Sequence, residues 1–458
     1  GLLLLPSLLS CRQGTGGKAL ENGQLPESAV SRSAMSKVFW RILPLIALAY
    51  LFAYMDRVNV SFAAAQMNDD LKFSATIYGL GGGLFFLGYA LFEIPSNLML
   101  VRFGARQWIA RIMITWGLLS AGMMFVQTPM QFYVVRFLLG VAEAGFYPGV
   151  IYYFSSWFPP CHRGRAVSRF YVASPLSSVV MGGISGWLLG LDGHADLQGW
   201  QWLFLVQGLP AALVGLLVLR FLPDAPGTVD WLTAPEKAWI QDELAREQAR
   251  IGAPVRHNVL AAFANPRVLL LGAIGFLLIG AITTFILSAP MILAGATGLD
   301  PKPVGYVVSF GGLVGAVIML LAGNYADRHG DRFLNSFWFT VVLAGSFLVL
   351  SMPSVPMAAI VAYMAFAASC FAIPMLTSSG WAEVLHVREL AVGAAAINTM
   401  SQIGAFVTPY AWGVAKDATG GFQAGLFGLL VMTLMLGALT LLLRHQVRGR
   451  LPHVAVTE

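Results

Sequence analysis

An all-α membrane protein is the fold class this sequence predicts, and three observations predict it. Of the 458 residues 57% are hydrophobic and only 11% charged, with a mean hydropathy of +0.71. Apolar stretches recur every ~20–25 residues, the helical length that crosses ~30 Å of hydrocarbon. These stretches are continuous, unlike the ~10-residue alternating segments of barrel strands. In lipid only helices and closed barrels satisfy every backbone group, so continuous runs mean helices.

Taken in order, residues 1–35 read as a poorly ordered N-terminal tail. Leu2–Leu9 before Ser10 and Cys11 resembles a lipoprotein signal superficially, but it lacks a basic start, and Met35 is a plausible first residue. Twelve spans follow, near 38–61, 76–98, 106–126, 130–154, 166–190, 201–222, 267–294, 303–325, 333–351, 355–379, 390–414 and 420–443. They group into an N-terminal six-helix bundle (36–222), a linker (223–265), a C-terminal six-helix bundle (266–444) and a tail (445–458). In the linker, Thr233 and Glu236 have capping-box spacing, and Trp239, Ile240 and Leu244 suit one face of a short helix.

Charge sets the orientation. Alternate loops hold Arg102, Arg106, Arg163, Arg165, Arg169, Arg328, Arg332 and Arg388, whereas the opposite loops hold Lys72, Lys302 and Lys416. Eight against three places the first set, the linker and both termini in the cytoplasm. The net charge of +6 is distributed in these short clusters, which is topogenic and argues against nucleic acid. The expected partners are the bilayer and a small solute, with the chain acting as a monomer.

The loop after span eight reads Gly323-x-x-x-Asp327-Arg328-x-Gly330-x-Arg332, and that after span two Asn97-x-x-x-Val101-Arg102-x-Gly104-x-Arg106. Related loops at equivalent places imply internal duplication, as in many transporters. Six plus six spans with this loop resemble the major facilitator superfamily. Tyr54–Asn59 (Tyr-Met-Asp-Arg-Val-Asn), Phe92–Asn97 (Phe-Glu-Ile-Pro-Ser-Asn), Arg136–Gly149 and Pro223-Asp-Ala-Pro226 narrow the resemblance. They are similar to the anion:cation symporter family, in its bacterial tartrate, phthalate and hydroxyphenylacetate permease-like branch. The similarity covers about residues 36–445. It departs at Val101, where the loop normally has an acid, so a charge relay that gates the N-terminal half is weakened while Asp327 keeps one open in the other.

Charged residues inside the spans are Asp56, Arg57, Glu93, Arg111, Arg136 and Glu143, all in spans one to four. Such residues in lipid are costly unless they face protein or a water-filled cavity. Arg136 and Glu143 are seven apart, two turns on one helix face. A buried carboxylate beside an arginine stays charged while it holds that cation, and takes a proton when an anion competes for it. Arginine stays charged and binds carboxylates with its fork, which makes Arg57 and Arg136 the candidate anion ligands. The plainer alternatives are a snorkelling Asp56–Arg57 pair and an internal Arg136–Glu143 ion pair. Arg111, one turn into span three, reads as snorkelling.

The resemblance implies proton carriers at Asp56 and Glu143 and an anion-binding Arg57. Tyr54 and Tyr89 occupy matching positions, and Asn398 or Gln402 in span eleven is the polar contact from the other half. Ser174 replaces an amide that sugar-acid carriers tend to have, which argues mildly against a long polyhydroxy acid. Glu93, near the end of span two, reads as a structural or gate residue, with a third proton site as the alternative, and Asp327 and Arg328 are the other candidates for a gate. Gly182-x-x-x-Gly186-x-x-x-Gly190 and Gly311-x-x-x-Gly315 suggest that spans five and eight pack closely.

The expected function is a proton-coupled secondary transporter that imports a small organic anion (tartrate-like, hydroxy or aromatic acid) across a bacterial inner membrane by alternating access. It is no enzyme and uses no cofactor or metal, only the proton as coupling ion. The alternatives are an exporter or antiporter on the same fold and a non-transporting anion sensor.

Overall fold

The computed structural model describes residues 27–251, 264–352, 355–385 and 390–448. Among them the chain is helical, without strands. The first span is one long helix, α1 (Glu27–Asp70), followed by α2 (Ala75–Phe103) and α3 (Ala105–Gly122). Span four is two helices, α4 (Pro129–Glu143) and α5 (Phe146–Ser155), and span five is likewise α6 (Pro160–Tyr171) and α7 (Ala173–Leu189). After α8 (Gly199–Phe221) and the linker helix α9 (Ala234–Ile251) come α10 (Pro266–Thr297), α11 (Pro301–His329), α12 (Arg332–Ser351) and α13 (Pro356–Ser379). A short α14 (Trp381–Val384), α15 (Leu390–Thr419) and α16 (Gln423–Arg448) complete the chain. Among the described residues, eleven helical segments are long and apolar enough to cross a membrane; α15, of 30 residues, completes the second set of six.

Three features differ from the sequence reading. Helix α1 runs back to Glu27, through residues assigned to the tail, because its start is tied to the linker. Glu236 accepts hydrogen bonds from Ser33 (2.6 Å), Lys37 (2.8 Å) and the Thr233 amide (2.8 Å). Arg163 adds a fork on Glu247 at 2.8 and 2.7 Å. Span four is broken at Ala144–Gly145, with consequences described below. Arg111 does not snorkel: its guanidinium stacks on Trp108 at 4.2 Å and points to the Ala142 carbonyl at 3.4 Å, beside that break.

The face of the bundle that carries the linker is called here the linker face, and the other the far face. At the far face the two halves meet backbone to backbone. An ideal Cβ on Gly79 of α2 would lie 2.2 Å from the Pro409 carbonyl oxygen of α15, and one on Gly182 of α7 2.3 Å from that of Gly305 in α11. Close packing of spans five and eight is therefore real, but its partners differ from those expected. Gly182 and Gly186 face Gly305, Ser309 and Lys302, whereas Gly311 and Gly315 face Tyr363 and Phe371 of α13.

The duplicated loops keep a common backbone feature: Gly104 and Gly330 both have positive φ, +87° and +73°, a conformation glycine adopts freely. The ion pairs anchoring these loops are Arg106–Asp224 and Arg444–Asp331, both 2.9 Å. Arg328, expected at a gate, is exposed in the last turn of α11. The side chain of Asp327 lies outside the described residues.

Candidate functional site

On α1, residues 54, 57, 58 and 61 share one face by helical spacing. Arg57 reaches from it across to the end of α4. Its Nε donates to Glu143 Oε1 at 2.8 Å, and a second guanidinium nitrogen donates to the same oxygen. The other oxygen, Glu143 Oε2, is buried with no hydrogen-bond partner among the described residues. Glu143 is 1% exposed but Arg57 25%, so one edge of this cation remains open. Aromatic rings surround it: its guanidinium carbon is 5.2 Å from the Tyr54 ring centre, 5.5 Å from Tyr89 and 5.9 Å from Phe85.

The position of Glu143 comes from the broken span. Helix α4 ends at Glu143, and Gly145 turns with φ +85° before α5 begins. A Cβ at Gly145 would fall 2.4 Å from Ser96 Oγ, so no other residue fits both the turn and the contact. Ser96 itself donates to the Ala144 carbonyl at 2.6 Å and accepts from Trp108 Nε1 at 2.9 Å. Two of the sequence motifs, Phe92–Asn97 and Arg136–Gly149, thus clasp one another at the break.

Asp56 points the other way, into the N-terminal bundle. Its Oδ1 accepts from Asn59 Nδ2 at 2.9 Å and from Ser120 Oγ of α3, while Oδ2 is buried without a partner among the described residues. Arg136 is 2% exposed, with its guanidinium 5.0 Å from the Phe85 ring centre. It makes no hydrogen bond or ion pair among the described residues, and its Nε is a buried donor without partner. The expected Arg136–Glu143 pairing on one helix face is therefore absent: Glu143 is taken by Arg57, and both arginines lie near the Phe85 ring, 5.9 and 5.0 Å from its centre. Leaving a buried polar atom unpaired costs ~1–3 kcal/mol. Here Asp56, Arg136 and Glu143 each carry one, so protonation or anion binding at this cluster has something to satisfy.

From the other half, Asn398 Nδ2 donates to Glu93 Oε2 at 2.7 Å. The structure thus joins the expected gate residue of α2 to the expected polar contact of α15. Gln402, one turn further on, has its Oε1 buried and unpartnered. The hydroxyl of Tyr78 lies 2.8 Å from the Leu287 carbonyl of α10 and 3.2 Å from that of Val60, and closes the site toward the far face. Beyond it, Asp417 at the end of α15 accepts from the Ala75 and Thr76 amides at the start of α2, at 3.0 and 2.8 Å.

Comparison with known proteins agrees with this architecture. The family model for the Major Facilitator Superfamily matches residues 46–409. The chain belongs to the major facilitator superfamily. A protein of Agrobacterium vitis named "Putative tartrate transporter" is 40% identical over 429 residues, 92% of this chain and 94% of its own. The quinolone resistance transporter of Acinetobacter baumannii is 38% identical, over 88% and 93% of the two chains. Among solved structures, an inward-facing, unoccupied bacterial homolog of the human lysosomal transporter Spinster superposes with a TM-score of 0.72 at 16% identity, covering 93% of this chain and 99% of its own. A D-xylose-proton symporter gives 0.68 at 15%, covering 88% and 97%. Proteins so distant share the fold alone.

This major facilitator is a transporter, not an enzyme, and several residues of its central cluster escape a reading of the spans. Phe85, Ser120, Tyr78 and Asp417 carry no signal, because they are an ordinary aromatic, a serine, a tyrosine and a helix-end acid. Asn59 was legible in principle, three residues after Asp56 within the Tyr54–Asn59 motif. Ser174 is buried, with its carbonyl accepting from Ser177 Oγ at 2.6 Å.

Proposed function

We propose that this transporter carries a small organic carboxylate into a bacterial cell across the inner membrane, coupled to protons and with both termini in the cytoplasm. The observation that carries this reading is the Arg57–Glu143 contact. Glu143 is sealed from solvent, while the cation it holds keeps part of its surface exposed. A carboxylate arriving at the open edge of Arg57 competes with Glu143. As Glu143 loses its cation it becomes an uncompensated buried charge, which takes a proton instead. Anion and proton thereby enter together. Asp56, with one satisfied and one unsatisfied oxygen, is the second proton site, and Asn398 and Gln402 test the bound anion from the second half.

No cofactor takes part, and the chain acts as a monomer that exposes this site to each side in turn. Glu93 gates one side, since the same Asn398 amide serves either Glu93 or substrate. Support for a carboxylate also comes from the relative named for tartrate. Export is the second reading, favoured by the relative named for quinolone resistance.

The test is uptake into proteoliposomes under an imposed pH gradient, screened with carboxylic acids. The wild type is expected to accumulate its acid uphill and alkalinise the outer medium. The Asp56→Asn, Glu143→Gln double variant is expected to lose uphill accumulation entirely. Uphill uptake retained by the double variant removes the proton assignment, and efflux driven by an inward proton gradient would favour export.

A further inference from the structure

We infer that Ser120 of α3 is a positioning residue for the proton, and that its hydroxyl sets how readily Asp56 is protonated. The inference rests on the reading of Asp56 as a proton site, and goes beyond it by naming the group that tunes that site.

A hydroxyl inside a membrane helix ordinarily donates to a carbonyl of the preceding turn of its own helix. Thr115, on the same helix as Ser120, donates in this way to the Arg111 carbonyl at 2.8 Å. Ser177 of α7 does the same to Ser174 at 2.6 Å. Ser120 departs from the habit. It is 1% exposed, and its hydroxyl leaves α3 to donate to Oδ1 of Asp56 on α1. The same oxygen accepts from Asn59 Nδ2 at 2.9 Å. Asp56 and Asn59 are buried, so bulk water cannot stand in for a lost donor.

Backbone packing holds the hydroxyl in place. A Cβ on Gly117 would lie 2.5 Å from the Ala212 nitrogen of α8, and one on Gly208 of α8 2.3 Å from the Ala121 nitrogen. Helices α3 and α8 therefore touch backbone to backbone at residues that flank Ser120, and the donor cannot drift from Asp56 without parting the two helices.

The two oxygens of Asp56 are unequal, which gives the proton its place. Oδ1 has two donors, whereas Oδ2 is buried without a partner among the described residues. Donors to a carboxylate favour its charged form, and their bonds weaken once the charge is gone. A proton taken on Oδ2 leaves Ser120 and Asn59 where they are. Removal of the Ser120 hydroxyl then destabilises the charged form and raises the pH at which Asp56 takes its proton. The charged groups that act on Asp56 from α4 are Arg136 and Glu143. Arg57, next to it on α1, is bonded to Glu143, and Tyr78 of α2 faces Arg136. None of these changes with Ser120, so a shift in the variant reports the hydroxyl.

The experiment is an infrared pH titration of the carboxyl bands of the purified full chain in lipid nanodiscs, with the proton as the only ligand. The Asp56 component is identified by its loss in Asp56→Asn. Ser120→Ala is expected to move the midpoint of that component up by about one pH unit, ~10-fold in proton affinity, the scale of one hydrogen bond to a charged group. Ser120→Thr keeps the donor and is expected to titrate close to the wild type. Ser120→Cys, a weaker donor of similar shape, is expected to shift the same way by less, and stands in if the alanine variant does not fold.

Three results overturn the inference: a wild-type midpoint in the alanine or cysteine variant, a threonine variant that shifts as far as alanine, or no titrating component lost in Asp56→Asn. The function reading fails separately. Uphill uptake of the screened carboxylic acids retained by Asp56→Asn would remove Asp56 from coupling, while a shifted Ser120→Ala titration still stood. Uptake abolished in Asp56→Asn beside an unshifted Ser120→Ala titration would do the reverse.

Discussion

The two halves of this transporter bury different kinds of polar group. In the N-terminal half Asp56, Arg136 and Glu143 are buried charges, each with an atom that finds no partner. In the C-terminal half most of the hydrogen-bonded buried polar groups are hydroxyls serving their own helices, with Ser336 and Thr377 paired across α12 and α13 at 3.1 Å. Thr284 donates to the Gly280 carbonyl at 2.7 Å, Ser369 to Ala365 at 2.9 Å, Thr433 to Leu429 at 2.7 Å and Thr440 to Leu436 at 2.8 Å. A hydroxyl bonded to the carbonyl four residues back is satisfied in any position of the half as a whole. An incompletely satisfied charge is not, since its best partner is a proton or an anion. The comparison teaches that the buried charges with unsatisfied atoms are gathered in one half, while most of the buried hydroxyls of the other are bonded within their own helices.

Arg57→Lys is the strongest attempt to break that division. Lysine keeps the charge but loses the fork that holds Glu143 and leaves an edge for substrate. Uptake is expected to fall by ~100-fold or more, the loss of two charge-assisted bonds, with folding intact by size-exclusion profile. Near-normal uptake would move the anion clamp away from the N-terminal half.

Changes in α15 sharpen the comparison from the other side. Asn398→Ala and Gln402→Ala are expected to reorder competing acids, with some inhibition constants shifting ~10-fold relative to others. Competition of a fixed set of acids against uptake reads this. Equal scaling of every acid in both variants would make the C-terminal half a moving wall without a role in selection.

A smaller effect is expected at the far face, where Asp417 is the C-terminal half's charged contribution to α2. A carboxylate on two amides at a helix start is favourable through both capping and the helix dipole, though here it is exposed. Asp417→Asn leaves one amide facing a donor. Hydrogen exchange over residues 75–83 is expected to speed up ~5-fold. Unchanged exchange would mean that glycine packing alone closes this face.

The smallest effect belongs to the linker. Burial raises the carboxyl of Glu236, but bonds from Lys37, Ser33 and Thr233 outweigh it and bring the pKa down to about 2. A carboxyl held below its ordinary 4.5 adds stability above that pH, and the contribution is lost as pH falls toward 2. Lys37 is 38% exposed, which screens the pair. Glu236→Gln is thus expected to lower the melting temperature by about 1–2 °C at pH 7. The gap between variant and wild type should close below pH 4.5; a gap that widens there would assign the tie to other groups.

Much of this molecule was determined by the sequence itself. Span length, continuity and the doubled loop dictate twelve helices in two related halves, because lipid permits so few ways to satisfy a backbone. The list of residues able to carry charge chemistry followed from the same physics: only a few ionisable groups stand inside apolar runs, and Asp56, Arg57, Arg136 and Glu143 are among them. Their wiring was not legible. Helical spacing put Arg136 and Glu143 on one face and suggested a pair, but Gly145 breaks the span immediately after Glu143 and hands it to Arg57. That exchange depends on Ser96 and Trp108 gripping the break from other helices, contacts 12 to 48 residues apart in sequence. Phe85 near two arginines, Asn398 on Glu93 and Asp417 on the start of α2 likewise arise where helices distant in sequence meet. Residue type and local periodicity determine which groups must avoid lipid; only the crossing of helices decides which of them touch.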